Sequence, residues 1–393
     1  MTVIITNLDR YHFNSNLQTA FKNPSQKEIA PWITKIICGF AGAIEIDCSV
    51  AAKAGGKPKP KTFTVVLISR LSHRRLGTRF VRRGLDQNAN AANNVEMEQL
   101  VFSHDFLKDK AISSFVQLRG SVPLIWGQNI DLSYRPKMHL ANIDKECNWN
   151  VTKKHYTDLK QQYVGENYGP DSGVVVCINL LDDTGFEKPL TDAYEKSITK
   201  FHDAKIIYES FPITKWCKNL NYKNMQILMD RVQLPLLNSG FFVGDGDIIS
   251  MSASSAQPFR ISKLQTGVMR VSCLDSLDRT NLTCSLFAKN ALSLQICDIS
   301  SGLENVMVLP MTGVSPIENH DAVASTRQAL EVSFPALVNL WADSGDAISI
   351  IYAGTRALKS DVTRTGKRQL VLGSLNDFVN SLTRYYLNNV HVF

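Results

Sequence analysis

The chain has 393 residues, of which 44% are hydrophobic and 20% are charged. This composition excludes a disordered chain, a collagen-like repeat and a coiled coil, and the length suffices for one large domain or two ordinary ones. The 43 Lys and Arg residues outnumber the 36 Asp and Glu residues, which gives a formal net charge of +7.

The positive charge is concentrated in two segments, residues 53–83 and 356–368. The first holds ten basic residues and no acidic one, and the second holds five basic residues and one Asp. Localised basic charge indicates a polyanionic partner: a phosphorylated substrate, a nucleic acid or an anionic membrane. A solvated loop and a solvated helix face would give the same pattern.

The eight cysteines lie far apart, without a Cys-x-x-Cys pair or a Cys/His spacing of zinc-site type. We therefore expect a reducing compartment, no metal and no cofactor. The N-terminus lacks the features of a signal peptide, and no segment approaches the roughly 20 apolar residues of a membrane span. The sequence predicts a cytoplasmic protein whose membrane association, if any, is peripheral.

The first half of the chain favours strands. Residues 42–50 and 62–71 are predicted strands, joined by a Lys-, Pro- and Gly-rich segment that indicates a hairpin with a long basic loop. Residues 114–126 are extended and residues 151–164 helical. The apolar run 174–181 is typical of a strand buried on both faces.

The second half alternates helices and strands. Helices are predicted at residues 190–203, 217–237 and 281–296 and over most of 325–389, strands at 204–210 and 268–272, and a loop at 298–324. Asp245-Gly246 predicts a tight hairpin turn. This order predicts an α/β fold, with a mixed or parallel central sheet flanked by helices.

The most informative motif lies in VMRVSCLDSLDRTNLTCSL, where Cys273 and Arg279 are separated by five residues and Thr280 follows. A strand leads into this loop and a helix leads out, so backbone amides and the positive end of the helix converge on it. Arg279 offers two parallel donors to an anion, and the same field lowers a thiol pKa. The pattern predicts a site in which Cys273 attacks a phosphate monoester, forming a cysteinyl-phosphate that water hydrolyses.

Two carboxylates, Asp275 and Asp278, lie in the same loop. Electrostatics opposes them in an anion site, unless one is protonated or is turned into a hydrogen-bond network. A general acid must protonate the leaving oxygen. Asp278 is equally placed to cap the following helix.

The loop CLDSLDRTN resembles the catalytic signature of the Sac-domain phosphoinositide phosphatases. Residues 67–101, 114–128, 178–190 and 341–368 resemble further stretches of that family, in the same order. The resemblance covers nearly the whole chain. It implies an enzyme that removes a phosphate from the inositol ring of phosphatidylinositol phosphates.

The resemblance also implies a domain organisation. Residues 1–393 would form a single catalytic domain, in which 1–61 are a partial N-terminal region carrying the basic hairpin loop and 62–393 are the catalytic core. Most of the N-terminal subdomain of the family would be missing.

The resemblance and the chemistry together assign roles. Cys273 is expected to be the nucleophile, Arg279 the phosphate clamp and Asp275 the general acid, with Asp278 as the alternative. Thr280 is expected either to assist the reaction or, with Asn281, to shape the loop. The expected substrate contacts are Leu274, Ser276, Leu277, Asn281, Arg119, Lys359, Arg364, Lys367 and Arg368.

Two other function classes compete with this hypothesis. One is a catalytically weak module that binds phosphoinositides, which the intact Cys273 and Arg279 disfavour. The other is a protein or RNA phosphatase with the same loop chemistry, which the Asp-rich loop disfavours. A nucleic-acid binder is disfavoured because residues 53–83 hold few aromatic side chains. The expected partners are phosphatidylinositol phosphates and, through segments 53–83 and 356–368, an anionic membrane surface.

Overall fold

The computed structural model describes residues 9–15, 35–50, 59–103, 111–129, 133, 136–164, 173–218, 221–246, 259–300, 334–358, 379–384 and 386–387. Its strands are β1 (Gly39–Val50), β2 (Lys59–Leu71), β3 (Val95–Ser103), β4 (Ile112–Ser121), β5 (Trp126–Gln128), β6 (Met138–Leu140), β7 (Val175–Asn179), β8 (Ile206–Ser210), β9 (Phe242–Asp245), β10 (Arg260–Lys263) and β11 (Val268–Cys273). Its α-helices are α1 (Glu146–Tyr163), α2 (Lys188–Phe201), α3 (Ile213–Trp216), α4 (Met225–Ser239), α5 (Asp278–Ser300) and α6 (Phe334–Ala353).

Nine of the strands in the described part of the chain form one mixed sheet, in the order β1-β2-β3-β4-β11-β7-β8, with β9 on β4 and β10 on β9. The pairs from β1 to β4 are antiparallel, whereas β4, β11, β7 and β8 run parallel. The predicted α/β fold with a mixed central sheet is therefore confirmed. The carboxyl ends of the parallel strands meet at one edge, where ligand sites of such sheets form.

The two faces of the central strands pack against different helices. In β7, Val176 and Ile178 join a core formed with α4, α5 and α6, whereas Val175 and Cys177 join a second core formed with α1 and α2. All five residues of β7 and all six of β11 are buried. Burial on both faces explains why β7 lies in a continuous apolar run, whereas β11 also buries Arg270 and Ser272.

The predicted elements and the structure differ at two places. Strand β9, which ends at the predicted Asp245-Gly246 turn, pairs with β10 at Arg260–Lys263, and residues 247–258 between them lie outside the described residues. The helix predicted from 281 begins at Asp278 and continues to Ser300, into the predicted loop. The β1–β2 hairpin forms as predicted, but its loop at 51–58 lies outside the described residues.

Strand β3 was not predicted, because its sequence, VEMEQLVFS, carries two carboxylates that suit a solvated segment. Both are nevertheless buried, Glu96 at 0% and Glu98 at 1% exposure. The guanidinium of Arg70, on β2, donates to both, at 3.1 Å to Glu96 and at shorter range to Glu98. Tyr163 and Ser114 donate to the remaining carboxylate oxygens at 2.7 Å. A buried cation thus compensates the charge that β3 brings into the sheet.

Among the described residues, no helix is both long enough and apolar enough to cross a bilayer.

Replacing Arg70 by Met should lower the free energy of unfolding by about 3–5 kcal/mol at neutral pH, because two buried carboxylates lose their cation. Burial raises the pKa of Glu98, although Arg70 opposes that rise. A raised carboxyl pKa favours the folded state below the unfolded pKa, and this advantage is lost as the pH rises through the folded pKa. The loss in the free energy of unfolding caused by Arg70→Met should therefore be smaller near roughly pH 4 than at neutral pH.

Urea unfolding at both pH values measures this effect. The matched control is Arg74→Met, since the Arg74 side chain is 43% exposed and its loss should cost about 0.5 kcal/mol or less. Equal losses in the two variants would show that the buried cluster does not stabilise the fold.

Candidate active site

The Cys-x5-Arg segment forms a tight loop at the carboxyl edge of the sheet. Strand β11 ends at Cys273, which is 2% exposed, and α5 begins at Asp278. Ser276 turns the chain with a positive φ of 54°. Its backbone N–H donates to the Cys273 Sγ at 3.2 Å. The loop therefore directs a backbone donor at the sulfur, as a site that stabilises a thiolate requires.

Side chains from other elements hold the loop carbonyls. Asn93 Nδ2 donates to the carbonyls of Asp275 at 3.0 Å and Ser276 at 3.2 Å. Arg83 Nη1 donates to the Leu274 carbonyl at 2.9 Å. These bonds occupy three carbonyls of the loop, while the Ser276 amide is directed at the sulfur.

The carbonyl of Leu277 is a second point of attachment. It accepts from Thr280 Oγ1 at 2.9 Å, from the Asn281 N–H at 2.9 Å and from Arg119 Nη1 at 3.4 Å. Asn281 in turn donates to the Trp341 carbonyl at 2.9 Å, which ties the start of α5 to α6. The hydroxyl of Thr280 thus bonds the loop backbone in this structure.

Arg279 lies in the first turn of α5 and forms a bidentate ion pair with Glu187. Its Nη1 and Nη2 donate to the two carboxylate oxygens at 3.0 and 2.8 Å, and Nη1 also donates to the Leu180 carbonyl at 3.2 Å. The side chains are 25% and 12% exposed. Burial alone would lower the pKa of Arg279, but the charges of Cys273 and Glu187 raise it above its ordinary value. The fork that suits a phosphate is therefore occupied by a carboxylate.

Burial raises the pKa of the Cys273 thiol, and although Arg279 lowers it, Asp275 and Glu187 raise it further. The expectation of a lowered thiol pKa does not hold for this arrangement. The main physical reason is that burial disfavours the charged thiolate, and the anions Asp275 and Glu187 add to that effect.

Asp275 is held between two arginines. Arg79 Nη2 lies 2.7 Å from one carboxylate oxygen and Arg83 Nη1 lies 2.6 Å from the other. Burial would raise the pKa of Asp275, but the two guanidinium groups hold it well below its usual range. In this arrangement Asp275 is an anion that anchors the loop, so its geometry does not favour a proton donor.

Asp278 lies in a different environment. Its Oδ1 accepts from the Leu358 N–H at 2.7 Å, and its Oδ2 lies 3.6 Å from Arg384 Nη1. Burial raises the pKa of Asp278, and Arg384 only partly opposes that rise. A general acid must hold its proton until the leaving oxygen takes it. The raised pKa of Asp278 favours this protonated state.

Arg119 is 0% exposed and lies beneath the loop on β4. Its Nη1 donates to the Asn281 Oδ1 at 3.1 Å as well as to Leu277, while its Nε and Nη2 lack a hydrogen-bond partner. No carboxylate among the described residues forms an ion pair with it. Burial lowers the pKa of Arg119, which nearby Cys284, Cys273 and Asp278 oppose. The geometry favours support of the loop over contact with outer phosphates.

The structure brings the loop residues together but does not describe every predicted contact. Lys359, Arg364, Lys367 and Arg368 lie outside the described residues. The sequence did not indicate Glu187, which lies beside Arg279 although the two residues are 92 positions apart in the chain. The only sequence signal was its place in 178–190, a stretch already singled out by the family resemblance.

The arginine-rich part of segment 53–83 is largely internal. Arg70 and Arg83 are 2% and 1% exposed, so neither belongs to a membrane-facing surface. Arg75 donates to the carbonyls of Arg83 and Gly84. Residues 74–83, here called the arginine loop, thus use several of their charges to build the site.

The described residues contain no group of three or more His, Cys, Asp or Glu side chains arranged to hold a metal ion.

Replacing Glu187 by Gln should move the onset of Cys273 reactivity to lower pH. Glu187 raises the thiol pKa directly and also engages Arg279, so the amide removes one anion and frees one cation. The rate of iodoacetamide labelling at Cys273, measured against pH, reports the shift.

A matched control is Asp192→Asn on α2, because Asp192 pairs only with the exposed Lys188 at 2.9 Å. This variant should titrate like the unmodified protein. An unchanged or higher midpoint in Glu187→Gln would contradict the assignment of Glu187 as the partner of Arg279.

Comparison with known proteins identifies relatives of the whole chain. The family model of the SacI homology domain matches residues 3–218. Phosphatidylinositol-3-phosphatase SAC1 of Saccharomyces cerevisiae is 33% identical over 388 residues, which are 97% of this chain and 54% of that protein.

Phosphatidylinositide phosphatase SAC2 of Homo sapiens is 32% identical over 97% of this chain and 30% of its own length. Phosphoinositide phosphatase SAC8 of Arabidopsis thaliana is 33% identical over 85% of this chain and 48% of its own. The chain thus spans about half or less of the length of these relatives. The family resemblance is confirmed, and this chain belongs to the SacI homology domain family.

Proposed function

We propose that the chain is a phosphoinositide phosphatase, which hydrolyses a phosphate monoester on the inositol ring through a cysteinyl-phosphate intermediate. One observation carries the proposal. Cys273 ends a central parallel strand, and Arg279 occupies the first turn of the helix that follows, with a loop amide directed at the sulfur. The names of the relatives, all phosphoinositide phosphatases, support the choice of substrate class.

The reaction begins when the substrate phosphate displaces Glu187 from Arg279. A phosphate offers the same two-oxygen edge as the carboxylate and carries more negative charge, so it fits the guanidinium fork. The amides of Leu274, Ser276 and Leu277 and the start of α5 then surround the remaining phosphate oxygens.

The chemical step is a displacement at phosphorus. The Cys273 thiolate forms the S–P bond while the P–O bond to the inositol oxygen breaks, and the leaving oxygen takes a proton from a general acid. Water then attacks the phosphorus, which releases inorganic phosphate and returns the thiolate. Asp278 suits the role of acid better than Asp275, because burial raises its pKa while two arginines depress that of Asp275.

The remaining predicted residues take supporting or outer roles. Arg119, Thr280 and Asn281 position the loop through the Leu277 carbonyl. Lys359, Arg364, Lys367 and Arg368 are retained as proposed contacts to further ring phosphates. Residues 1–393 are proposed to act as one unit, since β1 and β2 extend the sheet that carries Cys273. Segment 356–368 and the part of segment 53–83 other than the buried Arg70 and Arg83 are proposed to face an anionic membrane.

The direct test is phosphate release from a soluble short-chain phosphoinositide by the intact chain and by Cys273→Ser. We expect release by the intact chain and at least a 100-fold loss in the variant, because the nucleophile is removed. Acid quenching during turnover should also trap a phosphorylated Cys273 peptide.

A weak binding module is the second candidate, since the pairing of Arg279 with Glu187 gives a site whose clamp is occupied. Equal phosphate release by the intact chain and by Cys273→Ser, with retained lipid binding, would support the binding module and contradict the proposed enzyme.

Replacing Asp278 by Asn should lower kcat about 100-fold on a phosphoinositide but change it little on 4-methylumbelliferyl phosphate. The inositol alkoxide needs a proton as it leaves, whereas the phenolate leaves without one. Steady-state kinetics on both substrates measures the difference.

Asp275→Asn serves as the comparison variant. It should lower activity on both substrates alike, because it releases Arg79 and Arg83 and loosens the loop. A loss confined to the phosphoinositide in Asp275→Asn, and not in Asp278→Asn, would reverse the assignment.

A further inference from the structure

The arginine loop, residues 74–83, has two faces with different chemistry. Its inward face carries Arg79 and Arg83, which hold Asp275 of the catalytic loop, and Phe80, which is 8% exposed. Both guanidinium groups lie over the Phe80 ring, at 5.0 and 5.4 Å from its centre. These contacts fix the loop against the site.

The outward face carries two aliphatic side chains between two cations. Leu76 is 42% exposed and Val81 is 37% exposed, while Arg74 and Arg82 are also exposed. Single exposed aliphatic residues are ordinary on protein surfaces. Here two of them lie five residues apart on one short loop that contains no acidic residue.

The loop is built to keep this face in place. Tyr352, on α6, donates its hydroxyl to the carbonyls of Arg79 at 3.1 Å and Arg82 at 2.6 Å. The Arg82 N–H donates to the Thr78 carbonyl at 3.0 Å. The Arg82 stem lies against Gly77, where an added Cβ would come within 2.3 Å of the Arg82 Cγ. An ordered loop therefore presents its aliphatic side chains at little entropic cost.

We propose that the outward face of the arginine loop inserts into an anionic lipid surface and sets the catalytic loop against it. Leu76 and Val81 enter the headgroup boundary, while Arg74 and Arg82 contact lipid phosphates. This inference rests on the proposed function, because a lipid substrate presents its headgroup at that boundary. Within segment 53–83, the inference assigns the membrane contact to the four side chains just named.

Charge complementarity favours a lipid surface over a protein partner. Among the residues that the structure describes, the ion pair of Arg74 is with Asp9 at 3.9 Å, and both side chains are more than 40% exposed, so that pair is weak. Aliphatic side chains flanked by cationic ones suit a headgroup layer, where the aliphatic groups reach the acyl boundary and the guanidinium groups stay with phosphate.

The test measures binding of the full chain to phosphatidylcholine vesicles with and without phosphatidylserine. The variant Leu76→Ser with Val81→Ser should bind both kinds about tenfold more weakly, because two buried aliphatic groups are lost. The variant Arg74→Gln with Arg82→Gln should lose about fivefold per charge, and only on vesicles that contain phosphatidylserine. The matched control is Leu234→Ser with Leu237→Ser, which removes two α4 leucines that are 59% and 47% exposed.

Activity separates this inference from the proposed function. Leu76→Ser with Val81→Ser should keep its activity on a soluble short-chain phosphoinositide and lose it on vesicles. If the intact chain is inactive on the soluble substrate, the proposed function fails, while the binding comparison still decides the role of the loop. Vesicle binding equal to that of the control would overturn the inference. So would a fall in thermal stability in the variant, since it would mean that the two side chains pack within this chain.

Discussion

The bidentate ion pair between Arg279 and Glu187 is the contact on which the proposed chemistry depends. Burying a guanidinium destabilises the fold unless an anion pairs with it. The Glu187 carboxylate pairs with Arg279 through two oxygens, as a phosphate would. Glu187 also raises the pKa of the Cys273 thiol, which opposes the lowering of that pKa by Arg279. Binding of a phosphate therefore completes the clamp by exchanging one anion for another on the same guanidinium.

The same constraint, that each buried charge needs compensation, explains most of the basic residues near the site. Asp275 is matched by Arg79 and Arg83, and the glutamates of β3 by Arg70. Arg119 is the exception, since loop carbonyls and a side-chain amide are its described acceptors. A Cys273 thiolate or a bound phosphate would supply the negative charge that its surroundings lack. The net charge of the chain is thus partly an internal property, and only some of it is available to a membrane.

Much of the fold follows from the sequence, because β7 lies in a continuous apolar run and the segment between β1 and β2 has a clear turn composition. The loop from Cys273 to Arg279 was also found, since its spacing is local. Strand β3 was missed because Glu96 and Glu98 resemble a solvated segment, and only a tertiary partner, Arg70, makes their burial possible. The sequence could not predict the role of Glu187 or the proposed preference for Asp278 over Asp275 as the general acid. Each depends on a charged side chain that is distant in sequence.

A crystal structure of Cys273→Ser with bound inorganic phosphate would show whether phosphate replaces Glu187 as the partner of Arg279. The substitution removes the nucleophile but leaves Arg279 and Glu187 intact. We predict that both terminal nitrogens of Arg279 lie within hydrogen-bond distance of the phosphate and that the Glu187 carboxylate has withdrawn. A phosphate bound elsewhere, with the Arg279–Glu187 pair still bidentate, would contradict the account.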